Sequence, residues 1–186
     1  MTAKSKKIVL GIAAVFAALI VLVVILGATA PKDMHVEQSI VINKPIGQVF
    51  AYLRDLKNGE QWGPWYKMDP NMTLEYHGQD GAVGSWVSWS GNHDVGVGEQ
   101  EIKAIDPNKR IDYELRFKKP MEGVSTSYFT TSADGPTSPT TVVWGMDSND
   151  MPFMARAVSR IINCKAMMEK TFAEGLTDLK AKLESQ

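Results

Sequence analysis

Residues Met151–Leu183 read MPFMARAVSRIINCKAMMEKTFAEGLTDLKAKL. Apolar side chains recur there at Met154, Val158, Ile161, Met168, Phe172, Leu176, Leu179 and Leu183. The steps are three, four or seven residues, which is the periodicity of one helix face. Pro152 suits a first helical turn, where a missing N–H costs nothing, and Ser148, Asn149 and Asp150 offer N-cap oxygens just before it. Arg156, Arg160, Lys170, Lys180 and Lys182 supply a polar face. The stretch therefore predicts one long helix, and at ~1.5 Å per residue about 30 residues make a rod of roughly 45 Å. Nearly everything between Met34 and Ser148 reads as strands. A curved antiparallel sheet folded around one long C-terminal helix buries both apolar faces, giving an α+β class.

The strands follow from alternation and turn chemistry. His35 to Ile42 alternates polar with apolar, and Asn43-Lys44-Pro45 starts a short helix carrying Val49, Phe50 and Leu53. A second helical turn is expected over Asp55 to Glu60. Gln61 to Pro70 is read as a loop, with Trp62-Gly63-Pro64-Trp65 unable to continue a helix. Two readings of its tryptophans stand side by side: a plug at one end of the core, or a lid over a ligand cavity. Strands then follow at Met72–Tyr76, Ser85–Ser90, Val95–Ile105, Arg110–Phe117, Glu122–Thr131 and Thr140–Met146, making a meander of about six to seven strands with one face on the core.

Alternation also predicts which residues face inward. Val87 and Trp89 share a face, as do Gln100 and Ile102 with Gly98. Tyr113 and Leu115 follow on the next strand, then Ser125, Ser127 and Phe129, then Val142, Trp144 and Met146. Trp62 and Trp65 from the loop, with Met154 and Val158 from the helix, complete the candidate lining of a cavity. A mostly apolar surface with a few polar groups suits a small hydrophobic ligand. Packing of the same residues into a plain core, with Gln100 and the serines bonded to one another or to water, is the competing expectation.

The N-terminal segment has a different character. Met1 to Lys7 is short and basic, and Ile8 to Gly27 holds no charge. Twenty such residues cross a hydrocarbon layer of ~30 Å. The expected transmembrane helix covers residues 8–28, with a connector over 29–33 and the globular domain over 34–186. Ala28-Thr29-Ala30 resembles a cleavage site, whereas the length of the apolar run favours an uncleaved signal anchor. Lys4, Lys6 and Lys7 precede the span and Lys32 follows it, so the positive-inside rule puts the N-terminus in the cytoplasm and the domain on the periplasmic or extracytoplasmic side.

Composition narrows the chemistry. The chain has 186 residues and a formal charge of −1, which gives no electrostatic reason to expect nucleic acid. One cysteine, Cys164, leaves no intramolecular disulfide framework. His35, His77 and His93 stand far apart, so no metal site is expected. There is no G-x-S-x-G elbow, and Gly96-Val97-Gly98 lacks the third glycine and the helix of a phosphate loop. Those glycines read as points where the sheet bends. No catalytic residue and no cofactor is assigned.

The order of elements resembles the helix-grip order: a strand, two short helices, a meander and a long C-terminal helix. The residues carrying the match are Val36–Phe50 (VEQSIVINKPIGQVF), Trp62–Pro70 (WGPWYKMDP), Trp89–Gly98 (WSGNHDVGVG) and Phe172–Leu179 (FAEGLTDL). Together they resemble the SRPBCC or START-like superfamily, and within it the polyketide cyclase/dehydrase-type proteins. The resemblance implies a cavity between the concave sheet and the long helix, used across the superfamily for lipids, steroids, polyketides and other hydrophobic molecules. Three functions are then in play: a membrane-anchored module binding a hydrophobic small molecule or lipid; a structural or interaction protein whose cavity is filled by its own side chains; and a cyclase/dehydrase-like enzyme, for which Tyr113 and Gln100 are the polar candidates.

Overall fold

The computed structural model describes residues 3–186. Met1 and Thr2, the first residues of the expected basic leader, lie outside the described residues, as do the side chains of residues 3–6 and of Ile8. The elements are α1 (Ala3–Thr29), β1 (Met34–Ile42), α2 (Ile46–Arg54), a 3-10 turn (Leu56–Gln61), α3 (Pro64–Met68), β2 (Thr73–His77), β3 (Trp86–Ser90), β4 (Val97–Asp106), β5 (Arg110–Lys119), β6 (Gly123–Ser132), β7 (Thr140–Ser148), α4 (Phe153–Ile162) and α5 (Cys164–Glu184). They form two compact units. One holds α1 up to Lys32 with Asp150–Cys164; the other holds Asp33–Asn149 with Lys165–Gln186.

The larger unit is a seven-stranded antiparallel sheet in the order β1-β7-β6-β5-β4-β3-β2, with α5 on its concave face. Only the β1–β7 pairing joins strands distant in sequence; every other neighbour is a hairpin. This is the helix-grip architecture. Leu176, Leu179 and Leu183 of α5 are 1%, 0% and 3% exposed, so the C-terminal part of the seam read from the sequence is buried, whereas Met154 and Ile161 at its start are exposed. Burying one such side chain contributes about 1.5–3 kcal/mol.

Two sequence expectations are corrected. The helix expected over Met151–Leu183 is two helices, parted at Asn163 with φ 50° and ψ 54°. Asparagine tolerates this left-handed conformation better than most residues, and the Asn163 N–H still bonds Ser159 O to close α4. The loop expected over Gln61–Pro70 contains a short helix, α3. Proline cannot continue a helix but can start one, and Pro64 sits at the first turn of α3 behind an extended Gly63.

Gly96 and Gly98 shape the start of β4. Gly96 has φ 71°, and a Cβ there would stand 2.3 Å from the carbonyl oxygen of Lys119. The β4–β5 register shifts between Val97 and Gly98, so the expected bend is a bulge. Over Gly98 lies the Trp89 ring, 2.4 Å from where a Cβ would be.

The convex face of β4 and β5 carries a charge cluster. Arg116 donates to Glu99 at 3.0 Å and to Glu101 at 2.8 Å, and also reaches Glu114. Lys118 reaches Glu99 and Lys103 reaches Glu101. Lys118 and then Arg116 hold the Glu99 carboxyl below its usual range, and Arg116 and then Lys103 do the same for Glu101. A depressed carboxylate contributes stability above its unfolded pKa and loses it as pH falls through the folded value. We therefore expect Arg116→Met to cost roughly 1 kcal/mol at pH 7, less in high salt, and almost nothing once both carboxylates are protonated. Urea unfolding at neutral and acidic pH checks this; an equal loss at both would contradict it.

Candidate functional site on the concave face

The strand register lays the inward residues out in rows across the sheet. The innermost rows, toward the β1–α2 turn, are Thr131–Val142–Ile40 and Thr140–Ile42. Next comes Ile111–Phe129–Trp144–Gln38, then Ile102–Tyr113–Ser127–Met146–Val36. Beyond it lies Val87–Gln100–Leu115–Ser125, and last Trp89–Gly98–Phe117. Every inward assignment made from alternation on these strands holds.

The rows differ in what covers them. In the fourth, all five residues are buried, with Ile102 and Val36 at 0% exposure. Over the third, Trp144 stacks on Phe172 of α5 with ring centroids 4.0 Å apart and planes at 5°. Trp62 meets Trp144 and Phe129 edge-on at 5.5 and 5.9 Å, and Tyr113 meets Phe129 edge-on at 6.1 Å. Gly175 lets α5 approach: a Cβ there would stand 2.9 Å from the Trp144 ring and 3.0 Å from Pro64. Trp62 is thus a plug, one of its two sequence readings, and this half of the concavity is closed by the protein's own aromatics.

The outer rows are open by comparison. Gln100, Leu115, Trp89 and Phe117 are each only partly buried, as are Trp65 of α3 and Met168 of α5. Trp89 rests edge-on against Phe117 at 5.9 Å, and its indole N–H donates to Val95 O at 3.4 Å. Val87, at 4% exposure, marks the inner edge of this half.

The polar atoms of the buried rows are mostly paired. Ser125 and Ser148 share a hydroxyl bond of 2.7 Å. Ser127 donates to Gly145 O at 2.9 Å and accepts from Trp144 Nε1 at 3.3 Å. Tyr113 donates to Leu53 O at 3.3 Å. Burial, then the fields of Asp80, Asp112 and Asp55, raises its hydroxyl far above the ordinary tyrosine range. A phenol so held is neutral, with its hydroxyl directed at the backbone. No group of three or more histidine, cysteine or acidic residues that could hold a metal occurs among the described residues.

The structure thus divides the residues singled out in the sequence. Trp62, Tyr113, Phe129, Trp144, Met146, Val87, Ile102 and Ser127 are core. Ser125 is buried at the border, and Trp65, Trp89, Gln100 and Leu115 line the open half. Met154 and Val158 are not among them, because both lie on α4 in the unit with α1. Their helical spacing continues that of α5, which hid the break at Asn163. Phe117, Met168 and Phe172 were missed as site residues, although Phe117 alternates with Tyr113 and Leu115 and the other two lie on the helix seam.

Comparison with known proteins agrees with this architecture. The family described as polyketide cyclase / dehydrase and lipid transport matches residues 33–184. A protein of Nitrosospira multiformis is similar in structure, with TM-score 0.58 and 17% identity over 80% of this chain and 95% of that one. A Mesorhizobium loti protein gives TM-score 0.58 and 20% identity over 82% and 98%. Major latex-like protein 151 of Panax ginseng gives TM-score 0.53 and 16% identity over 82% and 98%. At these identities the likeness is one of fold. No curated protein matches the sequence.

Proposed function

The chain belongs to the polyketide cyclase / dehydrase and lipid transport family, and we propose that it is a membrane-anchored module that binds a hydrophobic small molecule or lipid on the open half of its concave face. The observation that carries this reading is the outer pair of rows. Trp65, Trp89, Leu115, Phe117 and Met168 form an apolar surface left partly uncovered beside a row whose five residues are all buried. Gln100 is the polar group among them. Val9–Thr29 of α1 is long and apolar enough to cross a membrane, which supports retention beside a lipid source. In this reading the N-terminus faces the cytoplasm and the domain the extracytoplasmic side.

The test is uptake of a fluorescent fatty acid by the full chain in nanodiscs, followed by energy transfer from tryptophan. Leu115→Asp is expected to weaken uptake about ten- to a hundredfold, the loss of one buried leucine's worth of apolar contact. Val124→Asp, a similar change on the convex face where Val124 is 58% exposed, is the control and leaves uptake unchanged. Absence of uptake, or equal loss in both variants, would sink the reading. A domain filled by its own side chains and acting through a protein partner is the second reading, favoured by the stack of Trp62, Trp144 and Phe172. Absence of uptake would move the weight there.

A further inference from the structure

We propose that α4 is a second membrane contact, a short amphipathic helix lying in the lipid–water interface beside the end of α1. The proposal rests on α1 being retained as a span. Around α4, at about 100° per residue, Arg156, Arg160 and Ser159 gather on one arc. Phe153 and Ala157 come next, and then Ile161, Met154, Val158 and Ile162. The arc of Phe153 and Ala157 is occupied. Ala157 is 1% exposed, and the Phe153 ring lies over Gly27, 2.6 Å from where a Cβ would stand. On α1 the covered residues are Val23, Leu26 and Gly27, a stripe over the last two turns that continues into Ala30 just beyond it, whereas residues 9–22 are exposed.

What remains is an apolar face on which Val158 is partly buried and its neighbours are exposed. Met154, Ile161 and Ile162 are 56%, 58% and 52% exposed. A water-facing helix has no reason to present such a surface, and unpartnered apolar patches mark an interaction site. Position identifies the partner. If α1 crosses a layer of ~30 Å, its last turns reach the headgroup level on the far side, and α4 is packed there. The apolar face of α4 then continues the lipid-facing surface of α1. Charge agrees: α4 has two arginines and no acidic residue, the composition of helices that lie among anionic headgroups. Arg156 also donates to Ala30 O at 3.4 Å, just past the end of α1, where a cation suits the helix dipole. A protein partner would explain the apolar face but not its position beside a span.

The experiment uses the full chain with Cys164→Ala, reconstituted into phosphatidylcholine vesicles containing a minority of phosphatidylglycerol. Single spin labels are placed through Met154→Cys, Ile161→Cys, Phe16→Cys on α1 and Glu174→Cys on the exposed side of α5. The expected result is an oxygen-to-nickel-chelate accessibility ratio severalfold higher at 154 and 161 than at 174. Lipid exposure at 16 with water exposure at 154 and 161 overturns the role of α4 and leaves the anchor standing. Water exposure at 16 overturns both. Shielding of 154 and 161 from both reagents means that protein covers the face, and also overturns the proposal; dipolar broadening would identify a second copy. Without labels, Met154→Glu with Ile161→Glu should speed amide exchange across α4 severalfold in vesicles while α5 stays unchanged. No acceleration would likewise contradict it.

Discussion

Trp144→Ala is expected to destabilise the sheet unit by about 3–5 kcal/mol, the range for deleting a large buried aromatic. The indole is held from three directions. It stacks on Phe172 at 4.0 Å, receives the edge of Trp62 at 5.5 Å, and donates to Ser127 at 3.3 Å. Removing it opens a space bounded by rigid sheet and by α5, which Gly175 has already brought as close as it can come. Little collapse is available to offset the loss. Against a total stability of about 5–15 kcal/mol, a loss of this size takes much of the folding free energy. Trp144→Phe separates packing from hydrogen bonding: it keeps most of the stack and gives up the bond to Ser127, for a net loss of about 1 kcal/mol from that term. Urea unfolding followed by circular dichroism reads both. A loss below about 1 kcal/mol for the alanine variant would mean that the aromatic cluster does not close the concavity, contrary to the packing described.

Gly96→Ala is expected to cost about 2–5 kcal/mol, from two sources that add at one residue. A side chain at φ 71° costs roughly 1–2 kcal/mol, and crowding adds about 1–3 kcal/mol. The crowding is severe because the atom in the way is the Lys119 carbonyl oxygen, 2.3 Å from the added Cβ, and backbone gives way less easily than the end of a side chain. The damage should concentrate at the β4–β5 end, where Gly98 accommodates Trp89. A red shift of tryptophan emission would accompany the fall in stability. Gly135→Ala, in an open loop where the nearest atom is the Ser138 hydroxyl at 3.3 Å, is the comparison and should change stability by less than about 1 kcal/mol. Equal effects at the two positions would overturn the assignment of Gly96 as a site only glycine fills.

How far the fold was legible follows from what each signal measures. Period-two alternation reports which face a residue takes, and it placed Trp144, Tyr113 and Ser127 on the concave side before any coordinates. It carries no information about free volume, so the filling of half the concavity by Trp62, Trp144 and Phe172 lay beyond it. Helical periodicity reports phase, and the phase is preserved from Ile161 to Met168 across Asn163. One residue of left-handed backbone therefore left no trace in the apolar spacing. The same blindness put Met154 and Val158 on the sheet. Gly96 and Gly98 were legible as bends because glycine in a strand is otherwise unfavourable, and the bulge between Val97 and Gly98 follows.

The hydroxyls of Ser125, Ser127 and Ser148 and the indole N–H of Trp144 satisfy one another or the backbone. Those groups lie in or beside the closed rows, so a molecule arriving in the open half would meet the Gln100 amide among apolar side chains. Discrimination would then rest on length, branching and girth rather than on the pattern of its oxygens. Such a surface ranks guests coarsely, because each added methylene changes affinity by only a modest factor whereas an unmatched polar group changes it by orders of magnitude. Breadth of guest, rather than fidelity to one compound, is the selectivity such an apolar surface would confer.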